Sequence, residues 1–171
     1  MKKVRNNTFE TNSSSVHAIV INFSNDINIP KSIHFGIGEF GWEHTKLNSV
    51  REKANYLYTA LLSLYTGDEL QEHIDDIEST LRNAGVENIT FDDNYVEKYS
   101  EYGDLTKKYN SFNGYIDHYY DLREFIEEIS SEGLITYLFN PDSYVHTGHD
   151  NNENDYPDYS GDNDYCFIKG N

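Results

Sequence analysis

Thiols are nearly absent from this sequence, with Cys166 its one cysteine. A lone cysteine cannot close an intramolecular disulfide and excludes a cysteine-rich zinc site. Nor is there a run of about 20 apolar residues, the length that a membrane-spanning helix needs, so no span is expected. The opening MKKVRNNTFETNSSS is basic but has no apolar stretch behind it, which is not the pattern of a secretory signal. Basic residues are also scarce. Lys and Arg number 13 against 30 Asp and Glu, giving a formal charge of −17 and a pI near 4.6. Binding to DNA, RNA or anionic lipid through charge requires clustered Lys and Arg, so direct nucleic-acid or membrane binding is not expected. The expected setting is a cytoplasm.

What is present argues for a folded chain. Hydrophobic residues make up only 37%, but aromatics reach 15%, with 15 Tyr, nine Phe and one Trp. Disordered chains are poor in the rings from which a core is built. A length of 171 residues fits one domain covering the whole chain, 1–171. The charge is unevenly spread: residues 1–65 carry a balance of +2, residues 66–132 of −13, and residues 141–171 of −6. Such asymmetry speaks to partners and solubility rather than to fold.

Periodicity supplies the elements. Val16 to Phe23 (VHAIVINF) is apolar and β-branched, a central strand, and Lys31 to Ile37 alternates as a strand partnered to it. Gly36 to Trp42 holds three glycines and reads as a turn or loop. From Ser49 to Tyr65, Val50, Ala54, Leu57, Tyr58, Leu61, Leu62 and Tyr65 form a broad helical stripe. Ser49 and Glu52 are spaced as a capping box. Thr66 and Glu69 repeat that spacing before a second helix marked by Leu70, Ile74, Ile77 and Leu81, with Gly85 as its C-terminal stop. Val86 to Phe91 alternates as a short strand, and 92–114 has no assignable pattern. A third helix is expected from Tyr115 to Ser130 and stops at Gly133; Leu134 to Phe139 (LITYLF) then reads as a strand. An acidic Asp/Asn/Tyr-rich loop follows at about 143–164, and Tyr165 to Lys169 offers an edge strand. The fold class is α+β, one mainly antiparallel sheet with about three helices packed on it.

Before the first strand stand Arg5, Phe9, Glu10, Thr11, Asn12, Ser13, Ser14, Ser15 and His17. A guanidinium, an acid, an amide, hydroxyls and an imidazole in one cluster are a chemistry that binds anions or polarises a substrate. On that view Arg5, Glu10, Asn12, Ser13, Ser14, Ser15 and His17 form the site of a small enzyme acting on nucleotide or protein. The plainer reading is that Thr-Asn-Ser-Ser-Ser is turn chemistry, its short side chains bonding nearby backbone. This opening, R-N-N-x-F-E-T-N-S-S-S-x-H, resembles the start of small proteins encoded by phages and mobile elements of bacteria. Gly38 to Glu43 (GEFGWE) and Lys53 to Ala60 (KANYLYTA) extend the resemblance over roughly the first 60 residues. It implies a phage-like setting and carries no catalytic residue across.

The acidic helices point to another function. Glu69, Glu72, Asp75, Asp76 and Glu78 lie off the apolar stripe of the second helix. Asp117, Asp121, Glu124 and Glu128 recur at helical spacing in the third, one carboxylate about every 5.5 Å of axis, with Glu127 beside them. Solvated helix faces are commonly charged, but ordinary surfaces intersperse both signs. Duplex DNA carries one negative charge per about 1.7 Å, and its binding grooves are lined with Lys and Arg. A rigid acidic surface made of Glu69, Glu72, Asp76, Glu78, Asp117, Asp121, Glu124 and Glu128 would occupy such a groove. In setting and charge this is similar to anti-CRISPR proteins and restriction-enzyme inhibitors. The expected function is a phage-type, anti-CRISPR-like anti-defence protein. It would inhibit a host nucleic-acid-binding nuclease, such as a CRISPR effector, by acidic DNA mimicry in the host cytoplasm. A phage structural or accessory role is the blander alternative.

No cofactor and no metal site is expected. His146 and His149 have H-x-x-H spacing, and Asp150, Asn152, Asn154 and Asp158 imitate part of a calcium loop. An EF-hand requires Gly at its sixth position and Glu at its twelfth, where this sequence has Asp155 and Gly161. The tyrosines at 144, 156, 159 and 165 are better suited to packing or to a protein interface. Cys166 has no evident base to activate it.

Overall fold

In chain order the elements are β1 (Ser15–Asn22), β2 (Ser32–Phe35), β3 (Glu39–Phe40), β4 (Thr45–Leu47), α1 (Val50–Leu64), α2 (Gly67–Asn83), β5 (Asn88–Phe91), β6 (Tyr95–Tyr99), β7 (Leu105–Asn110), β8 (Tyr115–Ile116), α3 (Leu122–Glu128), α4 (Ser131–Phe139), β9 (Tyr144–His149) and β10 (Asp164–Lys169). They come from a computed structural model that describes residues 15–23, 27–41, 43–93, 95–99, 105–110, 114–117, 119, 122–149 and 164–169. The class is α+β, with helices packed on an antiparallel sheet.

β1 owes its central place to its composition. Its apolar run is buried on alternate and intervening positions alike, from Ala18 to Ile21, as a strand covered on both faces must be. It pairs antiparallel with β10 on one side and β9 on the other, and β4 completes the order β10-β1-β9-β4. β10 is thus the edge strand that the last residues were expected to add. β2 does not join β1. It runs parallel to β5, with Ile33 opposite Ile89 and Phe35 opposite Phe91, and the two Phe rings stack at 4.8 Å. The glycine-rich turn contains β3, which pairs parallel with β8, and the unassigned 92–114 stretch holds the β6–β7 hairpin.

α1 is the hub. It begins on the expected capping box, with Ser49 accepting from the Glu52 N–H and the Glu52 carboxylate accepting from the Ser49 N–H at 3.0 Å. Its Ala54, Leu57 and Leu61 enter one core together with Ile19 and Ile21 of β1 and Leu134 and Leu138 of α4. It touches β2, β8 and all three other helices. α2 stops where Gly85 takes φ +101°, a conformation cheap only for glycine. At its start Thr66 occupies the N-cap but its side chain makes no capping bond.

Two further expectations are corrected. LITYLF is not a strand but the body of α4, nucleated by the Ser130 hydroxyl accepting from the Gly133 N–H at 3.0 Å. Gly133 therefore sits in a first turn rather than ending a helix. The single helix over 115–130 is also replaced. The Tyr115 N–H donates to the Gly38 carbonyl and the Asp117 N–H to the Phe40 carbonyl, holding Tyr115 and Ile116 in β8, and the α-helix described in this stretch is α3, Leu122–Glu128.

Candidate functional site

His17 and Ser15 are the members of the opening cluster that fall within the described residues, and both are fully buried. The His17 Nε2 lies 2.7 Å from the Gly41 carbonyl, which can only accept, so that nitrogen carries the proton. Nδ1 then accepts from the Tyr56 hydroxyl at 2.9 Å. The imidazole joins β1 to α1 and to the loop after β3, and both of its nitrogens are committed. Arg5, Glu10, Asn12, Ser13 and Ser14 lie outside the described residues.

A second buried web surrounds Lys53, which in the sequence stands out only as part of the KANYLYTA resemblance. The residue is 1% exposed, and its ammonium donates to the carbonyls of Asn140 at 2.7 Å and Ser143 at 2.9 Å, beyond the C-terminus of α4. A cation is favoured there by the helix dipole. The Tyr137 hydroxyl donates back to the Lys53 carbonyl at 2.9 Å, and the Asn140 amide donates to the Asn22 carbonyl. Burial depresses the ammonium to about 8, partly offset by the Asp142 carboxylate. The web ties α1, α4 and the end of β1 into one unit. Lysine on an apolar stripe was the available signal.

On the surface, His34 of β2 meets Thr90 Oγ1 at 2.9 Å through Nδ1 and Asp92 Oδ1 at 3.2 Å through Nε2. Hydroxyl, imidazole and carboxylate are the groups of a hydrolytic relay, which also needs free N–H donors for the developing oxyanion. The nearby N–H groups are occupied: Gly36 by the Asn55 side chain, Ile37 by the second Asp92 oxygen and Gly38 by the Thr59 hydroxyl. The trio latches β2 to β5.

The acidic surface is smaller than expected and differently shaped. Glu69, Glu72, Asp75 and Asp76 of α2 and Glu124, Glu127 and Glu128 of α3 carry its carboxylates, and all seven are exposed. Glu78 is half-buried and pairs with Arg82 at 3.4 Å. Asp117 is half-buried in the turn after β8, so it does not lie on a helix with Glu124 and Glu128. Asp121 lies outside the described residues. The continuous four-carboxylate rail is thus replaced by two short acidic helix faces. Arg123 joins them, reaching Glu69 on α2 at 3.9 Å and Glu127 on its own helix at 3.7 Å. Its guanidinium lies 5.0 Å from the Tyr65 ring, against which His73 packs at 4.1 Å. The Tyr65 hydroxyl beneath them is buried without a hydrogen-bond partner among the described residues.

Between α2 and the α3–α4 pair runs a groove of about 590 Å³. Leu57, Leu61, Ile77, Ile126 and Leu134 line its floor, and Asp76 and Glu127 stand on opposite walls. Through Thr80, Asn83 and Ser131 it meets a second hollow of about 510 Å³, lined by Phe23, Ile27, Ile135 and Glu132. Phe23 is 41% exposed and Ile27 37%. Leu57, Leu61, Ile77 and Ile126 of the floor were legible as helix stripes, whereas Leu134 was read as a strand residue.

The tail places His146 and His149 on β9 rather than in a loop. Among the described residues no group of three or more His, Cys, Asp or Glu is arranged to hold a metal ion. Tyr144 lies under the Lys46 ammonium at 3.9 Å, and Cys166 pairs in register with Val20. Asp150, Asn152, Asn154, Asp158, Tyr156 and Tyr159 lie outside the described residues. No described helix is long and apolar enough to cross a membrane.

No family model, curated protein or solved structure matches this chain.

Proposed function

We propose that this protein is a non-enzymatic, anti-CRISPR-like inhibitor of phage type. It presents the acidic faces of α2 and α3 to the basic nucleic-acid groove of a host defence nuclease in the bacterial cytoplasm. The supporting observation is the cluster of carboxylates on two helix faces joined by Arg123. Nucleic-acid grooves are lined with Lys and Arg spaced to meet phosphates, and a dense set of fixed carboxylates competes for the same contacts. Complementary charge of this kind governs on-rate and partner choice, and salt screens it. The enzyme alternative gains no support from His17, because both of its nitrogens are already bound in the interior.

The test is displacement of duplex DNA from purified CRISPR effectors and restriction nucleases in a gel-shift assay across a salt series. We expect one class to lose its DNA at near-stoichiometric protein. The effect should fall by at least tenfold in a variant with Glu72, Asp75, Glu124 and Glu128 all changed to Lys. A folded variant of this kind that displaces DNA as well as the parent would overturn the reading, as would failure to displace DNA from any nuclease.

A further inference from the structure

The groove between α2 and the α3–α4 pair combines features that charge mimicry alone does not require. Its floor is aliphatic while its rim is acidic: Asp76 stands on one wall, Glu127 on the other, and Glu132 at the far hollow. Arg123, the cation nearest the rim carboxylate Glu127, is engaged by Glu69 and Glu127. At the far end Phe23 and Ile27 hold apolar surface open to solvent. The walls are helices, whose backbone groups are satisfied internally, so an extended peptide would find no strand edge with which to pair. A second copy of this chain would bring another −17 against the same rim. What complements an apolar floor between acidic walls is a helix with one aliphatic stripe and basic flanks. The stretch of α2 lining the groove, His73 to Asn83, is long enough to lie beside about three turns of such a helix.

We infer that this groove docks one basic amphipathic helix of the partner protein. The inference rests on the reading above and refines it, since the acidic faces attract the partner and the groove selects it. The partner's aliphatic side chains enter over the half-buried Ile129 and Ile135 and the exposed Phe23 and Ile27, above a floor of buried Leu57, Leu61, Ile77 and Leu134, and its Lys or Arg side chains meet Asp76, Glu127 and Glu132.

The probe is a fluorescein-labelled synthetic Leu/Lys helix, compared with a peptide in which every Leu is replaced by Ser. Anisotropy is expected to show the Leu/Lys peptide binding the parent at least tenfold more tightly than the Lys/Ser peptide. Plugging the groove with Asn83→Trp and Ser131→Phe, both at exposed positions, should remove that advantage while leaving circular dichroism unchanged. Hydrogen exchange on the parent supplies a measurement independent of the plug: the Leu/Lys peptide should protect 73–83 and 126–135. Equal binding of the two peptides, undiminished binding to a folded plugged variant, or protection confined elsewhere would each overturn the inference. The nuclease assay separates the two readings. If the plugged variant still displaces DNA and the four-Lys variant does not, the groove inference falls and charge mimicry stands.

Discussion

Lys53 shows how one side chain sets a pH dependence. Its ammonium is held near 8 in the folded protein, against an ordinary 10.5. Below pH 8 the folded and unfolded chains both carry the proton, and the fold bears the full cost of burying the charge. Between 8 and 10.5 the folded amine is neutral while the unfolded one keeps its proton, so stability rises with pH. Each pH unit crossed in that window adds at most about 1.4 kcal/mol, so the whole gain approaches roughly 3 kcal/mol. Tyr56 and Tyr137 oppose it at higher pH. Burial pushes both hydroxyls up, so above their ordinary value of 10.0 they retain protons that the unfolded chain releases, and stability falls. The urea midpoint should therefore climb from pH 8 to about 10 and drop beyond it, and Lys53→Met should flatten the climb while sparing the drop. A climb that persists in the folded Met variant would assign it to other groups. His17 gives a second residue-scale expectation. Tyr56→Phe leaves Nδ1 without its donor, at a cost of about 1–3 kcal/mol in urea unfolding. Inhibition should be retained once the variant is folded, whereas a folded but inactive Tyr56→Phe protein would revive a chemical role for the imidazole.

Elements are legible in the sequence where a local signal and the burial pattern agree. α1 carries both a capping box and a complete stripe, and β1 carries an apolar run long enough to be covered on two sides. α4 reads as a strand because a short run of apolar and β-branched residues, broken by no charge, serves a buried helix as well as a strand. The decisive bond, Ser130 to the Gly133 N–H, is a single side-chain choice at its start. The 115–130 stretch misleads for a different reason. Its apolar spacing continues through residues that β3 holds extended, a tertiary pairing that no local pattern reports. The acidic rail inherits that error, and the groove is invisible because its walls lie far apart in sequence. The caps provide a contrast within one residue class. Ser49→Ala and Ser130→Ala should each cost about 1 kcal/mol of unfolding free energy, since both hydroxyls accept from backbone N–H groups. Thr66→Ala, at an N-cap whose side chain makes no such bond, should leave the melting temperature close to that of the parent. Equal losses at all three positions would mean that the hydroxyls matter for something other than capping.

At the scale of the whole molecule, the charge that serves binding opposes folding. A chain of −17 repels itself in the compact state, and among the described residues the carboxylates of α2 and α3 have Arg82 and Arg123 as their nearby cations. Added salt weakens that repulsion, because the screening length falls from about 30 Å at 0.01 M to about 10 Å at 0.1 M. Like-charged pairs one helical turn apart, such as Glu72 with Asp76 and Glu124 with Glu128, each cost roughly 0.2–0.5 kcal/mol at low salt. The melting temperature of the free protein should therefore rise over this range, and the four-Lys variant, whose charge is far less negative, should show a smaller rise from a higher starting point. Association with a basic partner has the opposite dependence, since screening slows the encounter. Salt should thus stabilise the fold and weaken inhibition together. Calorimetry and the gel-shift assay, run in the same buffers, measure the two slopes. If both quantities rise with salt, contact between partners is led by apolar surface and the acidic faces are not what brings them together. If both fall, the folded chain draws net stability from its charges, and the assignment of α2 and α3 as a self-repelling acidic surface is wrong.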